Sequence, residues 1–487
     1  MSIDHFPRGL PQDASKQHYP HARWWDPDKL TGFEKWQYRP GSVFLGAHNG
    51  VAIGVEDDRH MMTVAGSRAG KGRSCLTPNL CLYEGSILVI DPKGDLATIT
   101  AARRGDGSAH CEGLGQKVFV LDPFEAAQGN ANSYRAAFNP LDIVQPEGEN
   151  GRDDAALIAD ALIVPSKGDS HWTDAARLLL TGLILHVCES TEPERRNLIT
   201  VRELITNDDE GWRNTLAAMM CSDGSNGVIA RTANSIAAMG DKERSGVIST
   251  ATVQTDFLDS PAMRRVLSRS DFALADLKRQ RCTVYLSLPA GRMGTHARWL
   301  RLMIALTLEA MEREKTKPAH SVLVIMDEFH VLGPMKIIER AAGLIAGFGV
   351  RLWPVLQDLT QLKRDYPDSW ETFLGNAGLT QWFGVNDGTT LDYLSKNLGK
   401  TTLETFSQSE ISKERAAAGY TGRSKSHQMV ELMTAEEIGR YFSRQSGMQL
   451  IRWAGTDPIA IERVMYDQSP LFEGKFDPDP NYRNIRT

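Results

Sequence analysis

The chain has 487 residues, 41% of them hydrophobic, and a formal net charge of −6. That is length and apolar content for a full core and about two to four domains, and the acidic balance excludes a globally basic nucleic-acid binder, so any DNA contact must be a local patch or a channel built by several subunits. The six cysteines, Cys75, Cys81, Cys111, Cys188, Cys221 and Cys282, show no C-x-x-C spacing, which speaks against a zinc site or a disulfide framework and for reduced thiols.

No window reaches the run of about 20 apolar residues that a membrane-spanning helix needs, and the N-terminus carries no secretory signal, so a cytoplasmic location is expected. Residues 1–42 are polar, with Trp24, Trp25, Trp36 and Tyr38 among them, and read as a wrapped extension or docking arm. Short strands at Val43–Leu45 and Val51–Val55 then lead into Met61–Ser74, MMTVAGSRAGKGRS. This segment has the order strand, phosphate-cradling loop, helix start. Such a loop needs small residues so that successive backbone N–H groups converge on phosphate oxygens, and a lysine that reaches the outer phosphates. The nucleotide-binding candidates are therefore Ala65, Gly66, Ser67, Arg68, Ala69, Gly70, Lys71, Gly72, Arg73 and Ser74. Ala65 stands where the first glycine is usual. Gly72 stands where a metal-binding Ser or Thr is usual, which leaves Ser74 as a poorly placed substitute hydroxyl.

Ser86–Ile90 is a continuous apolar run of the kind buried in parallel sheets, and it ends in the polar loop Asp91-Pro92-Lys93-Gly94-Asp95 at a strand's carboxyl end, where open α/β sheets bind ligands. The strand Lys117–Leu121 follows. From about Asp153 to Asp259 the pattern turns helical, with Ala155–Val164, His171–Val187, Val201–Leu204 and Ile229–Gly240 as candidates. Strand pattern returns at Cys282–Leu288, a long helix at Arg298–Glu314, and a strand at Ser321–Met326 that ends in Asp327 and Glu328. An aspartate there can hold Mg²⁺, and the adjacent glutamate can polarise the attacking water. The strand Gly349–Leu356 ends in Gln357, a side chain able to sense a terminal phosphate, although Pro354 is awkward in a central strand.

The division read from these patterns is an N-terminal extension (1–42), the first part of a nucleotide-binding domain (43–150), an inserted all-α domain (151–270), the second part of the nucleotide-binding domain (271–465) and a tail (466–487). Residues 404–428, rich in Ser, Gly and mixed charge, read as a mobile surface loop. Arg264, Arg265, Arg269, Lys278, Arg279 and Arg281 form one basic run, and Lys396, Lys400, Lys413, Arg415, Arg423 and Lys425 another; both are candidate DNA contacts, though charge runs are usually solvated faces. His60, His171, His320 and His330 lack metal spacing and read as structural or surface residues.

The loop VAGSRAGKGRS, SILVIDPKGD, Phe138-Asn139-Pro140-Leu141, the helix of Trp172, CTVYLSLP, VLVIMDEFHVLG and Leu432-Met433-Thr434 with Glu436 and Glu437 together resemble the coupling ATPases of type IV secretion and conjugation, the TraG/TraD class related to FtsK and HerA. The glycine after the loop lysine is itself common in that class. The resemblance implies an α/β fold, a RecA-like three-layer P-loop NTPase domain with an inserted all-α domain, acting with ATP and Mg²⁺. It implies catalytic roles for Lys71 and Glu328, beside which Gln357 stands as the strand-end candidate, Mg²⁺ held by Asp327, and an arginine supplied by a neighbouring subunit, for which Arg351 and Arg340 are candidates. It implies a homo-hexamer that takes DNA with its relaxase, or an effector protein, as cargo for a secretion channel at the inner membrane. Members usually carry membrane helices before the segment matching His21–Trp24; residues 1–20 here are polar, so docking through a membrane partner is expected. A cytosolic translocase of FtsK/HerA type, or a non-catalytic nucleotide-binding adaptor, would carry much of the same pattern.

Overall fold

The computed structural model describes residues 21–164, 170–408 and 423–480. Its strands are β1 (Val43–His48), β2 (Val51–Val55), β3 (His60–Ala65), β4 (Ile87–Asp91), β5 (Lys117–Leu121), β6 (Cys282–Ser287), β7 (Val322–Met326), β8 (Val350–Leu356), β9 (Ala377–Phe383), β10 (Lys400–Gln408), β11 (Arg423–Glu431), β12 (Met448–Trp453) and β13 (Ile459–Glu462). Eleven of them form one sheet in the order β2-β1-β13-β12-β9-β3-β8-β7-β4-β6-β5. The seven from β9 to β5 are parallel, and β12, β13, β1 and β2 extend the sheet by antiparallel pairing.

The apolar runs are continuous because both faces of the parallel part are covered. Ile87 and Val89 of β4 point into one core with Leu76, Leu80, Leu96 and Ala101, from the helices that follow the phosphate loop and the DPKGD loop. Leu88 and Ile90, the alternate residues, point into a second core with Leu300, Met303 and Ile304 of helix Ala290–Arg313 and with helices inserted between β5 and β6. Period-two alternation across a sheet with helices on both faces is the three-layer architecture expected from the sequence. Pro354 does sit in a central strand. Backbone pairing of β8 with β3 is confined to Thr63 with Val355 and Val64 with Leu356, and the Leu352 amide donates to the His60 ring at 3.1 Å. The ladder thus begins beyond the residue that has no N–H to give.

Among the described residues, seven α-helices of at least seven residues lie between β5 and β6: Gly151–Leu162, Ser170–Ser190, Leu198–Ile205, Asp209–Met220, Val228–Ala238, Asp241–Gln254 and Pro261–Leu267. The periodicity of the sequence does not announce the fourth, sixth and seventh. Asp241–Gln254 buries only Val247 and Ala251, too narrow a stripe to stand out. The bundle is tied to the sheet layer by Arg313, which pairs at 2.6 Å with the buried Asp154.

One expectation is corrected. The segment around 404–428 is not simply a loop: β10 and β11 pair in register from Lys400 with Glu431 to Gln408 with Arg423. None of residues 400–405 and 426–431 of this ribbon is buried, and Leu403 and Met429 are exposed, so no apolar alternation marks it. Lys413 and Arg415 lie outside the described residues. In the described part of the tail, Phe472 is fully buried with its ring 5.6 Å from Phe44, and Asp477 accepts hydrogen bonds from Ser108 and Asn130. In the N-terminal segment, Trp36 is fully buried edge-on to Trp453, and the amide of Trp25 donates to Pro458 O at 2.9 Å.

Arg104 is fully buried at the end of helix Asp95–Arg104, and all five of its donors are used, on Thr283 Oγ1, Gln116 Oε1 and the carbonyls of Leu80, Tyr83 and Gly85. Burial pushes its guanidinium down to about 10, so it stays charged at neutral pH. Arg104→Met should leave those acceptors buried and unpaired, which costs about 4 kcal/mol, read as a fall of about 5–10 °C in melting midpoint.

Candidate nucleotide-binding site

The phosphate loop joins β3 to a helix that starts in a π-helical turn, Gly72–Leu76, and continues as Thr77–Leu82. Two backbone conformations shape it: Gly70 has φ +91°, open to glycine at little strain, and Arg68 has φ +55°. The loop is seated on the end of β9. The Gly66 amide donates to Phe383 O at 3.2 Å, and a Cβ placed on Gly66 would collide with the Gly384 carbonyl. The second small residue that sequence reading assigned to phosphate approach therefore also serves close packing of two backbones.

Strand order brings the distant candidates together. β8 lies between the loop strand β3 and the acidic strand β7, so Gln357, at the end of β8, comes to the same end of the sheet as Lys71 and Glu328. Lys71 Nζ lies 2.7 Å from Glu328 Oε1 and 3.2 Å from Asp327 Oδ1, although 257 residues separate Lys71 from the glutamate. Gln357 Nε2 donates to the other oxygen of Glu328 at 3.1 Å. Burial works against the charge on Glu328, yet Lys71 and the Gln357 hydrogen bond hold its carboxyl below the usual range. Burial pushes Asp327 up, and Lys71 only partly offsets it. Burial also works against the charge on Lys71, but the two carboxylates hold it above its usual value. The pair thus differs in character: Lys71 and Gln357 favour the charged form of Glu328, while burial disfavours that of Asp327.

Glu328 itself has φ +51°, a left-handed conformation that costs a non-glycine residue about 1–3 kcal/mol and is concentrated at functional positions. His330, read from sequence as an ordinary histidine, has Nδ1 3.5 Å from Glu328 Oε2 and belongs to this cluster. No spacing rule marks it, because it enters through the short 3₁₀ turn Phe329–Leu332.

Several candidates are placed elsewhere. Ser74 is buried and its hydroxyl donates to Gly70 O at 3.0 Å, so it is spent inside the helix and does not replace the hydroxyl missing at Gly72. Arg73 turns away from the loop to form a bidentate pair with Asp467, at 2.5 and 3.2 Å. Arg351 is 3% exposed, sits near the amino end of β8, opposite to the phosphate loop, and donates to Arg59 O at 2.8 Å. Arg340 is exposed and 3.7 Å from Glu312. The first basic run is largely neutralised within the chain, because Arg264, Arg265, Arg269 and Arg279 pair with Glu203, Glu125, Asp271 and Glu314, and Lys278 is buried on the carbonyls of Met311 and Glu314.

The DPKGD loop is three strands away from the phosphate loop, beyond β7. Its first aspartate is structural: Asp91 is fully buried, and one carboxyl oxygen accepts the Ala97 amide at 2.9 Å, at the start of helix Asp95–Arg104. Burial, reinforced by the neighbouring Asp95, holds the Asp91 carboxyl well above the usual range. The folded chain therefore keeps a proton that the unfolded chain loses above a pH of about 4, and stability falls as pH rises through that window by up to about 1.4 kcal/mol per unit. Asp91→Asn should remove this slope: as pH rises above about 4 its melting midpoint should fall less than that of the wild type.

The residues present suit a nucleoside triphosphate with a divalent cation. The loop offers backbone donors and a lysine, and the half-buried Asp327 offers a carboxylate for the cation; the loop hydroxyl is what they lack. Among the described residues, no helix is long and apolar enough to cross a membrane.

Known proteins with similar sequences include VirD4 of Rhizobium radiobacter, 28% identical over 414 residues, and the conjugal transfer protein TraG of Escherichia coli, 27% identical over 473 residues. The matched regions take in 84% and 90% of this chain, and the chain spans 57% of the VirD4 length and 71% of the TraG length. Among solved structures, the fold is that of the bacterial conjugative coupling protein TrwBdeltaN70, with a TM-score of 0.66 at 13% identity over 95% of this chain and 96% of that one. TrwB in complex with the ATP analogue ADPNP superposes with a TM-score of 0.67 at 13% identity, over 93% and 96% of the two chains. The family model described as type IV secretory system conjugative DNA transfer matches residues 16–478, and the chain belongs to that family.

Proposed function

We propose that this protein is an ATPase of conjugative coupling, which binds ATP with Mg²⁺ and uses hydrolysis to deliver DNA with its relaxase, or an effector protein, to a type IV secretion channel. The observation that carries the reading is the cluster of Lys71, Asp327, Glu328 and Gln357 at one end of the parallel sheet. The relatives named for conjugal transfer and the TrwB complex with an ATP analogue support it.

In this reading the backbone from Gly66 to Gly72 and the Lys71 ammonium bind the phosphates. Asp327 would hold Mg²⁺, which neutralises charge on phosphate oxygens when bound. Glu328 leaves its ion pair with Lys71 to orient the attacking water and accept its proton, and Gln357 keeps contact with Glu328 and reports on the terminal phosphate. Phosphoryl transfer asks for positioning and charge neutralisation more than covalent chemistry, so this small set suffices apart from an arginine donated by a neighbour. The working form is a homo-hexameric ring, with Arg340 as the exposed candidate for that arginine, docked through partners at the cytoplasmic side of the inner membrane.

The test is ATP turnover of the purified protein with and without single- and double-stranded DNA, beside Lys71→Ala. Turnover that rises with DNA and falls at least about a hundredfold in Lys71→Ala is the expected result. Turnover indifferent to Lys71 would place hydrolysis in a contaminant, and no binding of ATP by the wild type would end the reading.

A further inference from the structure

Behind the phosphate loop, the chain just after β13 runs alongside residues 69–73. Arg463 Nη1 donates to Ala69 O, Met465 packs behind Gly70, the Tyr466 amide donates to Arg73 O at 3.0 Å, and Asp467 pairs with Arg73. Arg463 is the pivot of this strap. It is 7% exposed, its own amide donates to Gly447 O at 2.7 Å, its Nη2 donates to Arg444 O at 2.7 Å, and its guanidinium carbon lies 4.8 Å from the centre of the Phe383 ring. No carboxylate forms an ion pair with it among the described residues, and its Nε is buried without a partner. A buried cation with no anion is costly, and burial lowers its pKa.

Two facts of geometry connect this residue to the site. The Ala69 carbonyl and the Gly70 amide share one planar trans peptide, so they point in opposite directions. Pinning the carbonyl backward onto Arg463 turns the Gly70 N–H forward, toward the concave side of the loop where phosphate oxygens converge. The guanidinium also lies directly behind the loop, with Nη1 3.8 Å from where a Cβ of Gly70 would be. The missing counter-charge of Arg463 is then the polyphosphate on the other side of one peptide.

We propose that Arg463 is a positioning residue for the nucleotide: it fixes the Ala69–Gly70 peptide so that its N–H faces the phosphates, and it places a cation behind them. This rests on the reading of the loop as an ATP site. Because Arg463 arrives from the last strand of the sheet, the strap also couples the end of the chain to nucleotide affinity.

The experiment measures the Kd for ADPNP with Mg²⁺, and the melting midpoint without nucleotide, for the wild type, Arg463→Met and Arg463→Lys. Arg463→Met keeps the apolar stem and removes an unpaired buried charge, so its melting midpoint should stay within about 3 °C of wild type. Its Kd should weaken at least tenfold. Arg463→Lys restores charge but cannot hold both carbonyls, and should fall between the two. Wild-type affinity in Arg463→Met overturns the proposal. If that variant does not fold, Arg463→Lys decides, since a Kd equal to wild type shows that the two-armed bridge is dispensable. A wild type that binds no ADPNP would instead overturn the ATP reading itself.

Discussion

Glu328→Gln is expected to lower ATP turnover by a factor of about 10²–10⁴ while leaving the Kd for ADPNP within a few-fold of wild type. The substitution keeps the shape and one acceptor oxygen but removes the charge that Lys71 and Gln357 hold in place. A neutral amide can still accept from Gln357 or Lys71, so the cluster should survive as a scaffold. What it cannot do is take a proton from water. Because Lys71 and the Gln357 hydrogen bond keep Glu328 below the usual carboxylate range, the base is ionised throughout the neutral range. The wild-type rate should accordingly show no loss between pH 8 and pH 6 that traces to this carboxyl. Single-turnover hydrolysis and ADPNP binding, measured on the same preparation, separate the two effects. Equal loss of both would mean that Glu328 holds the loop lysine rather than the water.

Gly66→Ala should be strongly damaging for the addition of a single methyl group. The added carbon would overlap the carbonyl oxygen of Gly384, a backbone atom with little room to retreat. The Gly384 amide is held by Phe442 O at 2.7 Å, and Gly384 itself lies under 3 Å from Ala69 Cβ if given a Cβ, so the turn is pressed from two sides. Overpacking of this kind costs about 3 kcal/mol, and the loop must move to relieve it. The expected result is a fall of about 5 °C or more in melting midpoint with loss of ADPNP binding. Gly72→Ala is the matched control, because a Cβ there meets nothing within 4 Å. If both variants bind alike, the contact with Gly384 is not what shapes the loop.

The two predictions draw on different kinds of information. Lys71, Asp327 and Glu328 stand out in the sequence because each has a local signature: small residues before a lysine, and an acidic pair closing an apolar strand. Gln357 is visible for the same reason, at the end of a strand. Gly384, Arg463 and His330 carry no such mark. Gly384 follows an apolar strand as many turn glycines do, and Arg463 is one basic residue after a short alternating run. The position of Arg351 is equally unmarked, since an arginine in a strand says nothing about which end of the sheet it occupies; parallel order puts residue 351 at the end opposite to the phosphate loop. The ribbon β10–β11 and the helix Asp241–Gln254 escaped because patterning reports burial, and these elements bury little.

By itself the sequence determined the class of fold and the main chemical groups, because buried parallel strands must be apolar throughout and a phosphate loop must be small and flexible where its backbone meets the ligand. Only the tertiary structure decided which groups meet. The placing of β8 between β3 and β7 brings Gln357 to Glu328, the return of the chain after β13 sets Arg463 behind Ala69, and the turn at Gly384 dictates a glycine at 66. These are contacts between residues far apart in the chain, fixed by strand order and backbone packing, and no local propensity encodes them.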